Sequence, residues 1–173
     1  MSRDLVAMPL SAQAFAPFGE VIDATGHPDR IINQGLCGRF HDRARIVTEG
    51  GRPGLSLFNA EARSLPLKLD MVERHPLGSQ TFIPMTAKPF LVIVAPGDGP
   101  EPGSPQAFLT EPGQAINFFA GTWHGVLTPL AAPGLFAVID RIGPGDNLDE
   151  HWFETPWRVL PPEPPRAPGS SRD

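Results

Sequence analysis

Apolar and polar residues alternate along much of this chain, in segments too short for most helices. In residues 65–71 every second side chain is Leu or Met, a period of two that is typical of a half-buried β-strand. Residues 54–60 and 134–142 alternate in a similar way. Residues 90–95 are continuously apolar between two prolines, which indicates a strand covered on both faces. The pattern therefore predicts an all-β fold.

The remaining segments are predicted to form one helical turn and further short strands. Ser11 is placed to cap a helical turn over residues 12–15, because its hydroxyl can accept a hydrogen bond from a free amide at the helix start. About ten short strands at this spacing are typical of a sandwich or a barrel. The acidic, aromatic segment 146–157 is expected to fold over a barrel edge. Further strands are predicted at residues 5–9, 19–23, 107–109, 115–119 and 124–130. Another is predicted at residues 31–35, where it closes in a polar turn, and one at residues 39–47 crosses the barrel mouth.

The composition supports a single β-rich domain. The chain has 173 residues, enough for one core, and its 22 prolines and 18 glycines interrupt helices and favour turns. We therefore expect one barrel domain over residues 1–158. Residues 159–173 are rich in proline and poor in apolar side chains, so a flexible C-terminal tail is expected there.

Charge, apolar run length and cysteine content bear on the partners and the location of the protein. The net charge is −5 and Lys and Arg do not cluster, so we expect no nucleic-acid partner. No apolar stretch approaches the length of a membrane span, and the start of the chain lacks a signal-peptide pattern. The lone Cys37 cannot form a disulfide within the chain. A cytoplasmic protein without a membrane partner is therefore expected.

Side chains suited to chemistry are concentrated in residues 73–85 and 113–128. Glu73 and His75 lie two residues apart, so on an extended strand both side chains point to the same face. Gln80 follows five residues later, and His124 comes directly after a turn in the second segment. If the two strands are neighbours in a barrel, these four side chains converge in an apolar cup. Such a cup is typical of a cofactor or substrate site.

The spacing of these residues resembles the two motifs of the cupin proteins. The first motif, His-x-His-x4-Glu, is matched with Glu73 for the first His and Gln80 for the Glu. The second motif is matched by residues 113–128, which supply His124. Together with His75, these groups suit a divalent ion such as Ni²⁺, Mn²⁺ or Zn²⁺. The alternative is a hydrogen-bonded network without metal, in which a His and a carboxylate act as acid and base.

Two arginines are candidates for binding a carboxylate, since a planar guanidinium pairs with that group through two hydrogen bonds. Arg74 lies between Glu73 and His75, so strand alternation points it away from their face. A structural salt bridge is its alternative role. Asp140 and Arg141 are adjacent at the end of an apolar strand, so one of the two side chains is expected to face inward.

Longer segments carry a resemblance to a known family. ERHPLGSQTFIPM, INFFAGTWHGVLTPL and FAVIDRIGPGDN resemble the ureidoglycolate lyase family of allantoin catabolism, as do PLSAQAFAPFGEVID, IINQGL and GRFHD. The likeness extends in order from about Leu5 to about Glu154. It implies a cupin-type jelly-roll β-barrel, usually a homodimer, that splits (S)-ureidoglycolate into glyoxylate and urea.

The resemblance implies a metal, and the chemistry of the expected reaction suggests roles for the site residues. A divalent ion is expected, nickel being one associated with the family, and no organic cofactor. The expected metal ligands are Glu73, His75, Gln80 and His124. Glu73, His75 and His124 are also the expected catalytic residues, with His124 or Glu73 moving the proton. The expected substrate-binding residues are Arg141 or Arg74 for the carboxylate and Asn33, Gln80 or Asn117 for the ureido group.

Two other functions stay open at this point. The first is an amidohydrolase that acts on the same substrate and releases ammonia, although the chain lacks the His-rich metal cluster of that class. The second is a non-catalytic cupin that binds a small carboxylate as a sensor or as part of an assembly. No DNA-binding segment is evident beside the barrel, which weakens the sensor hypothesis.

Overall fold

The computed structural model describes residues 3–163, and most of their regular structure is β-strand. Within this range the one α-helix is the turn α1 (Ala12–Phe15), and its cap Ser11 accepts a hydrogen bond from the Ala14 amide at 3.2 Å, as predicted. A 3₁₀ turn covers Asn33–Gly35. The strands are β1 (Arg3–Val6), β2 (Met8–Pro9), β3 (Gly19–Ile22), β4 (Arg30–Ile32), β5 (Cys37–Arg39), β6 (Arg52–Ala60), β7 (Leu67–Arg74), β8 (Gln80–Pro84), β9 (Phe90–Ala95), β10 (Gln106–Leu109), β11 (Ala115–Phe118), β12 (Trp123–His124), β13 (Thr128–Pro129), β14 (Gly134–Ile142) and β15 (Asp149–Leu160).

The larger of the sheets is nearly closed into a barrel. Its strand order is β1-β15-β7-β12-β9-β10-β2, and β13 also pairs with β9. Only Ala7 separates β1 from β2, so the two ends of this order are joined in the chain. A second sheet has the order β3-β11-β8-β14-β6. The predicted all-β, cupin-like barrel is therefore confirmed.

Strand β9 contributes to two hydrophobic cores. Val92 and Val94 belong to the core that the two sheets share, together with Phe118. Ile93 belongs to a second core, which also contains Trp123. All six residues of β9 are buried, so the predicted strand covered on both faces is confirmed.

The segment after residue 146 differs from its prediction. Instead of folding over an edge, it forms the 12-residue strand β15 inside the larger sheet, between β7 and β1. The register against β7 shifts between Trp152 and Trp157, which breaks the period of two and hides the strand in the sequence. Val159 is buried and the strand continues to Leu160, two residues past the predicted domain end. The rest of the predicted tail, residues 164–173, lies outside the described residues.

The strand predicted at residues 31–35 closes in a turn, as expected: β4 ends at Ile32, and Asn33 and Gln34 have φ of 53° and 59°. One further strand prediction was wrong. Residues 40–47 form no strand across the barrel mouth. Side-chain hydrogen bonds instead hold this segment to the second sheet, for example from the Val47 amide to the Ser79 hydroxyl at 2.8 Å.

No helix in residues 3–163 is long and apolar enough to span a membrane.

Candidate metal centre

Glu73, His75 and His124 meet in the structure, as the sequence predicted. Strand β7 pairs with β12 so that Glu73 lies directly opposite His124, and His75 follows β7 immediately. The carboxylate and the two imidazoles each offer an atom that lies within 4.8 Å of the others. The ring centroids of His75 and His124 are 5.4 Å apart. This spacing allows one small cation to contact all three groups.

Backbone carbonyls fix the orientation of both imidazoles. His75 Nδ1 lies 2.7 Å from the Asn147 carbonyl oxygen, and His124 Nδ1 lies 3.1 Å from that of Gly125. Because a carbonyl oxygen only accepts, each Nδ1 carries the proton and each Nε2 keeps its lone pair. His75 Nε2 is buried and has no hydrogen-bond partner among the described residues. Metal-binding histidines in proteins are commonly oriented in this way.

Burial shifts the pKa values of His124 and Glu73. His124 is 1% exposed, and its ring stacks on Phe118 with centroids 4.3 Å apart and planes 6° from parallel. Burial, reinforced by the charge of His75, lowers the pKa of His124 to about 3. Burial raises the pKa of Glu73, and nearby Glu150 adds to that effect while His75 opposes it. His124 is therefore a neutral ligand at physiological pH, whereas Glu73 is easier to protonate than an exposed glutamate.

Gln80 is brought close to this group by the second sheet. It pairs with Phe118, the residue whose ring covers His124, and cross-strand partners point to the same face of a sheet. Gln80 is 7% exposed, and its Oε1 has no partner among the described residues. A buried amide oxygen without a donor is costly, so this atom is available to an ion or a ligand.

Arg74 has a structural environment, which was the alternative considered from the sequence. Its Nε donates to the Asp149 carboxylate at 2.8 Å, and its Nη1 donates to the Gly99 carbonyl at 2.9 Å. The guanidinium also lies over the Trp123 ring, 4.4 Å from the centroid. As alternation predicted, this side chain is directed away from the face of Glu73.

Arg141, the other candidate for binding a carboxylate, lies against backbone carbonyls in the structure. Its guanidinium donates hydrogen bonds to three backbone carbonyl oxygens, those of Glu49, Gly50 and Pro144. These bonds tie the end of β14 to the loop before β6. The sequence predicted that either Asp140 or Arg141 faces inward. The inward residue is Asp140, whose Oδ1 is buried and has no partner among the described residues.

The two asparagines that were predicted to bind the ureido group lie elsewhere. Asn33 is exposed at the tip of the β4–β5 hairpin. Asn117 is fully buried, but it points away from Phe118, its neighbour on β11. Its amide donates to Glu20 at 2.8 Å, and its oxygen accepts from the Thr81 hydroxyl at 2.7 Å. Asn117 therefore holds strands together.

Two residues near the centre gave no functional signal in the sequence. Asn147 orients His75 through its backbone carbonyl, and its side-chain oxygen accepts from the Leu77 amide at 2.7 Å. Phe118 is one of several phenylalanines in the chain, and only the fold shows that its ring stacks on that of His124. Both contacts depend on tertiary structure, so residue type and spacing could not reveal them.

The donor set fits a divalent ion. Two imidazole nitrogens with free lone pairs, one carboxylate and a nearby amide oxygen are ligands that a borderline divalent metal accepts. The barrel and this group together define a cupin-like protein with a candidate metal centre.

Comparison with known proteins identifies the family. A model of the ureidoglycolate lyase family matches residues 2–160. The chain is 57% identical over 156 residues to a ureidoglycolate lyase of Rhodobacter capsulatus, covering 90% of this chain and 97% of that protein. It is 54% identical over 153 residues to ureidoglycolate lyase 2 of Rhizobium meliloti, covering 87% and 94%. A ureidoglycolate lyase of Chelativorans sp. is 48% identical over 163 residues, covering 93% and 99%. The chain belongs to the ureidoglycolate lyase family.

Proposed function

We propose that this protein cleaves (S)-ureidoglycolate into glyoxylate and urea. The observation that carries the proposal is the meeting of Glu73, His75 and His124 within 4.8 Å in a chain of this family. In the substrate one carbon carries a hydroxyl, a carboxylate and a ureido nitrogen. Cleavage breaks the carbon–nitrogen bond, forms the aldehyde carbonyl and moves one proton from oxygen to nitrogen, without consuming water.

His75 and His124 are the proposed metal ligands through Nε2, with Glu73 and Gln80 as further oxygen donors. The Nδ1 hydrogen bonds to backbone carbonyls support this assignment, since they leave both Nε2 lone pairs free. A divalent ion bound there would supply Lewis acidity toward the substrate carboxylate and hydroxyl oxygens. Nickel is the proposed metal, with manganese and zinc as alternatives.

Glu73 is the proposed group that moves the proton. His124 is a poor base because burial lowers its pKa to about 3. The pKa of the Glu73 carboxyl is raised, chiefly by burial, which makes it a better base and a carrier that releases its proton to nitrogen. A carboxylate has two oxygens, so one oxygen of Glu73 can coordinate an ion while the other accepts and releases the proton.

The arginines are assigned a supporting role. Arg141 and Arg74 hold loop carbonyls and Asp149, so we propose that they shape the site and leave the substrate carboxylate to the metal. The buried Oε1 of Gln80 supports its place at the centre. Asn33 and Asn117 are not included in the proposed site.

Replacing His124 tests this proposal. His124→Ala should lower kcat for urea release by at least about a hundredfold and should reduce the metal bound per chain, while the far-ultraviolet circular dichroism stays that of the folded barrel. The matched control is His27→Ala, because His27 is exposed and outside the site. Wild-type turnover in folded His124→Ala would contradict the proposed role of this residue.

We also propose that the protein is a homodimer. The outer face of the second sheet exposes Leu55 and Leu57, which are 72% and 66% accessible, beside Ile83 and Met85. Ala137 pairs with both Leu57 and Ile83, so the apolar side chains form one continuous patch. A patch of this kind supports a self-complementary twofold contact. The cytoplasmic location remains a prediction.

A further inference from the structure

Asp140 is a half-buried residue with one buried carboxylate oxygen, which the catalytic scheme above does not use. Its Oδ1 has no hydrogen-bond partner among the described residues, and no salt bridge to Asp140 occurs among them. Its neighbour Arg141 is engaged with loop carbonyls. Leaving a carboxylate oxygen buried without a donor or cation is costly. A bound ligand that donates a hydrogen bond to Asp140 would remove this cost.

The sheet register places Asp140 beside the candidate metal centre. Strands β14 and β8 pair Val138 with Phe82 and Ile139 with Thr81. The next positions along the two antiparallel strands are Asp140 and Gln80. Val138 and Phe82 are both in the core shared by the sheets, so by alternation Asp140 and Gln80 also point inward.

The unpartnered buried atoms of Gln80, Asp140 and His75 are all hydrogen-bond acceptors. Gln80 Oε1, Asp140 Oδ1 and His75 Nε2 are all buried and unpartnered, and all three are acceptors, because His75 carries its proton on Nδ1. They therefore require a cation or N–H donors. The proposed ion takes the nitrogen of His75 and the oxygen of Gln80, which leaves the Asp140 carboxylate for a donor.

We propose that Asp140 binds the N–H groups of the substrate's ureido moiety and so orients the substrate. This inference rests on the proposed function. A ureido group presents one N–H from each nitrogen on the same side, which matches the two oxygens of a carboxylate. The substrate's own carboxylate is repelled by Asp140 and is directed toward the metal side. Asp140 thus selects for an unsubstituted ureido group and binds the product urea.

Inhibition by the two products tests the two sides of the site separately: urea reports on Asp140, and glyoxylate reports on the metal side. Asp140→Leu should raise the inhibition constant for urea by about tenfold or more, since it removes charge-assisted hydrogen bonds. Inhibition by glyoxylate and the metal content should stay within about twofold of the wild type. Asp140→Asn, which keeps one acceptor oxygen, should give an intermediate rise. Asp70→Asn serves as the control, because Asp70 lies on the surface and pairs with Lys68.

Each outcome is decisive. A urea inhibition constant within about twofold of wild type in the Asp140 variants overturns the inference, and so does loss of metal from Asp140→Leu, which would make Asp140 a ligand. If Asp140→Leu does not fold, the nearly isosteric Asp140→Asn decides by the same criterion. A wild-type protein that releases no urea and glyoxylate refutes the proposed function itself, whereas active enzyme with unchanged urea inhibition refutes only the role of Asp140.

Discussion

At the scale of single residues, the site depends on which nitrogen of each imidazole carries the proton. Residue types and spacing were enough to select Glu73, His75 and His124. They could not show the proton positions, because the carbonyls of Asn147 and Gly125 that fix them are placed by loops. The consequence is that the Nε2 atoms of both imidazoles are free to bind an ion.

The buried state of His124 predicts a pH dependence of stability in the metal-free protein. Its pKa falls from an ordinary value of 6.5 to about 3 in the folded chain. Between these values the unfolded chain binds the extra proton, so the free energy of unfolding decreases as the pH drops from 6.5 toward 3. His124→Phe should flatten this part of the profile, as measured by denaturant unfolding in the presence of a chelator. Equal slopes for the variant and the wild type would show that His124 is not the group responsible.

At the scale of elements, period and run length predicted those strands that are regular. Strand β9 coincides with its predicted apolar run, and β7 covers most of its predicted segment and delivers Glu73 to the site. Strand β15 was missed because its register shift breaks the alternation. The sequence could not show that Arg141 holds loop carbonyls, because a charged residue at a strand end looks the same whether it binds a ligand or a loop.

The contact between β11 and β12 gives a prediction at this scale. Phe118→Leu removes the ring stacked on His124 and should lower both stability, by about 1–3 kcal/mol, and metal affinity, by about tenfold. Phe136→Leu is the matched control, because Phe136 is buried in the same core and its ring packs on Phe90. It should cost a similar amount of stability without weakening metal binding. Unfolding curves and metal titrations measure the two effects, and equal losses of affinity in both variants would argue against the stacking role.

At the scale of the whole molecule, the apolar outer face of the second sheet predicts an assembly. Leu57→Glu places a charge in the centre of that patch and should convert a dimer into a monomer, as measured by light scattering during gel filtration. Leu36→Glu is the comparison, because Leu36 is 88% exposed on the β4–β5 hairpin, away from the patch. It should leave the dimer intact. A dimer that survives Leu57→Glu but not Leu36→Glu would move the interface to the hairpin.

The sequence alone could predict the barrel and the family resemblance, since alternation and motif order survive without knowledge of contacts. It could not identify Asp140 as the inward member of its pair with Arg141. That choice became visible only through the register of β14 against β8 and the unpartnered Oδ1.

The most direct measurement is the set of products formed from racemic ureidoglycolate, with and without prior treatment of the protein with a chelator. Urea, glyoxylate and ammonia are quantified separately against the spontaneous rate. We predict equal amounts of urea and glyoxylate from the untreated protein, and loss of activity on chelation that the added divalent ion restores. Ammonia as the main nitrogen product would contradict the lyase reaction and indicate an amidohydrolase, and no product above the spontaneous rate would indicate a binding protein.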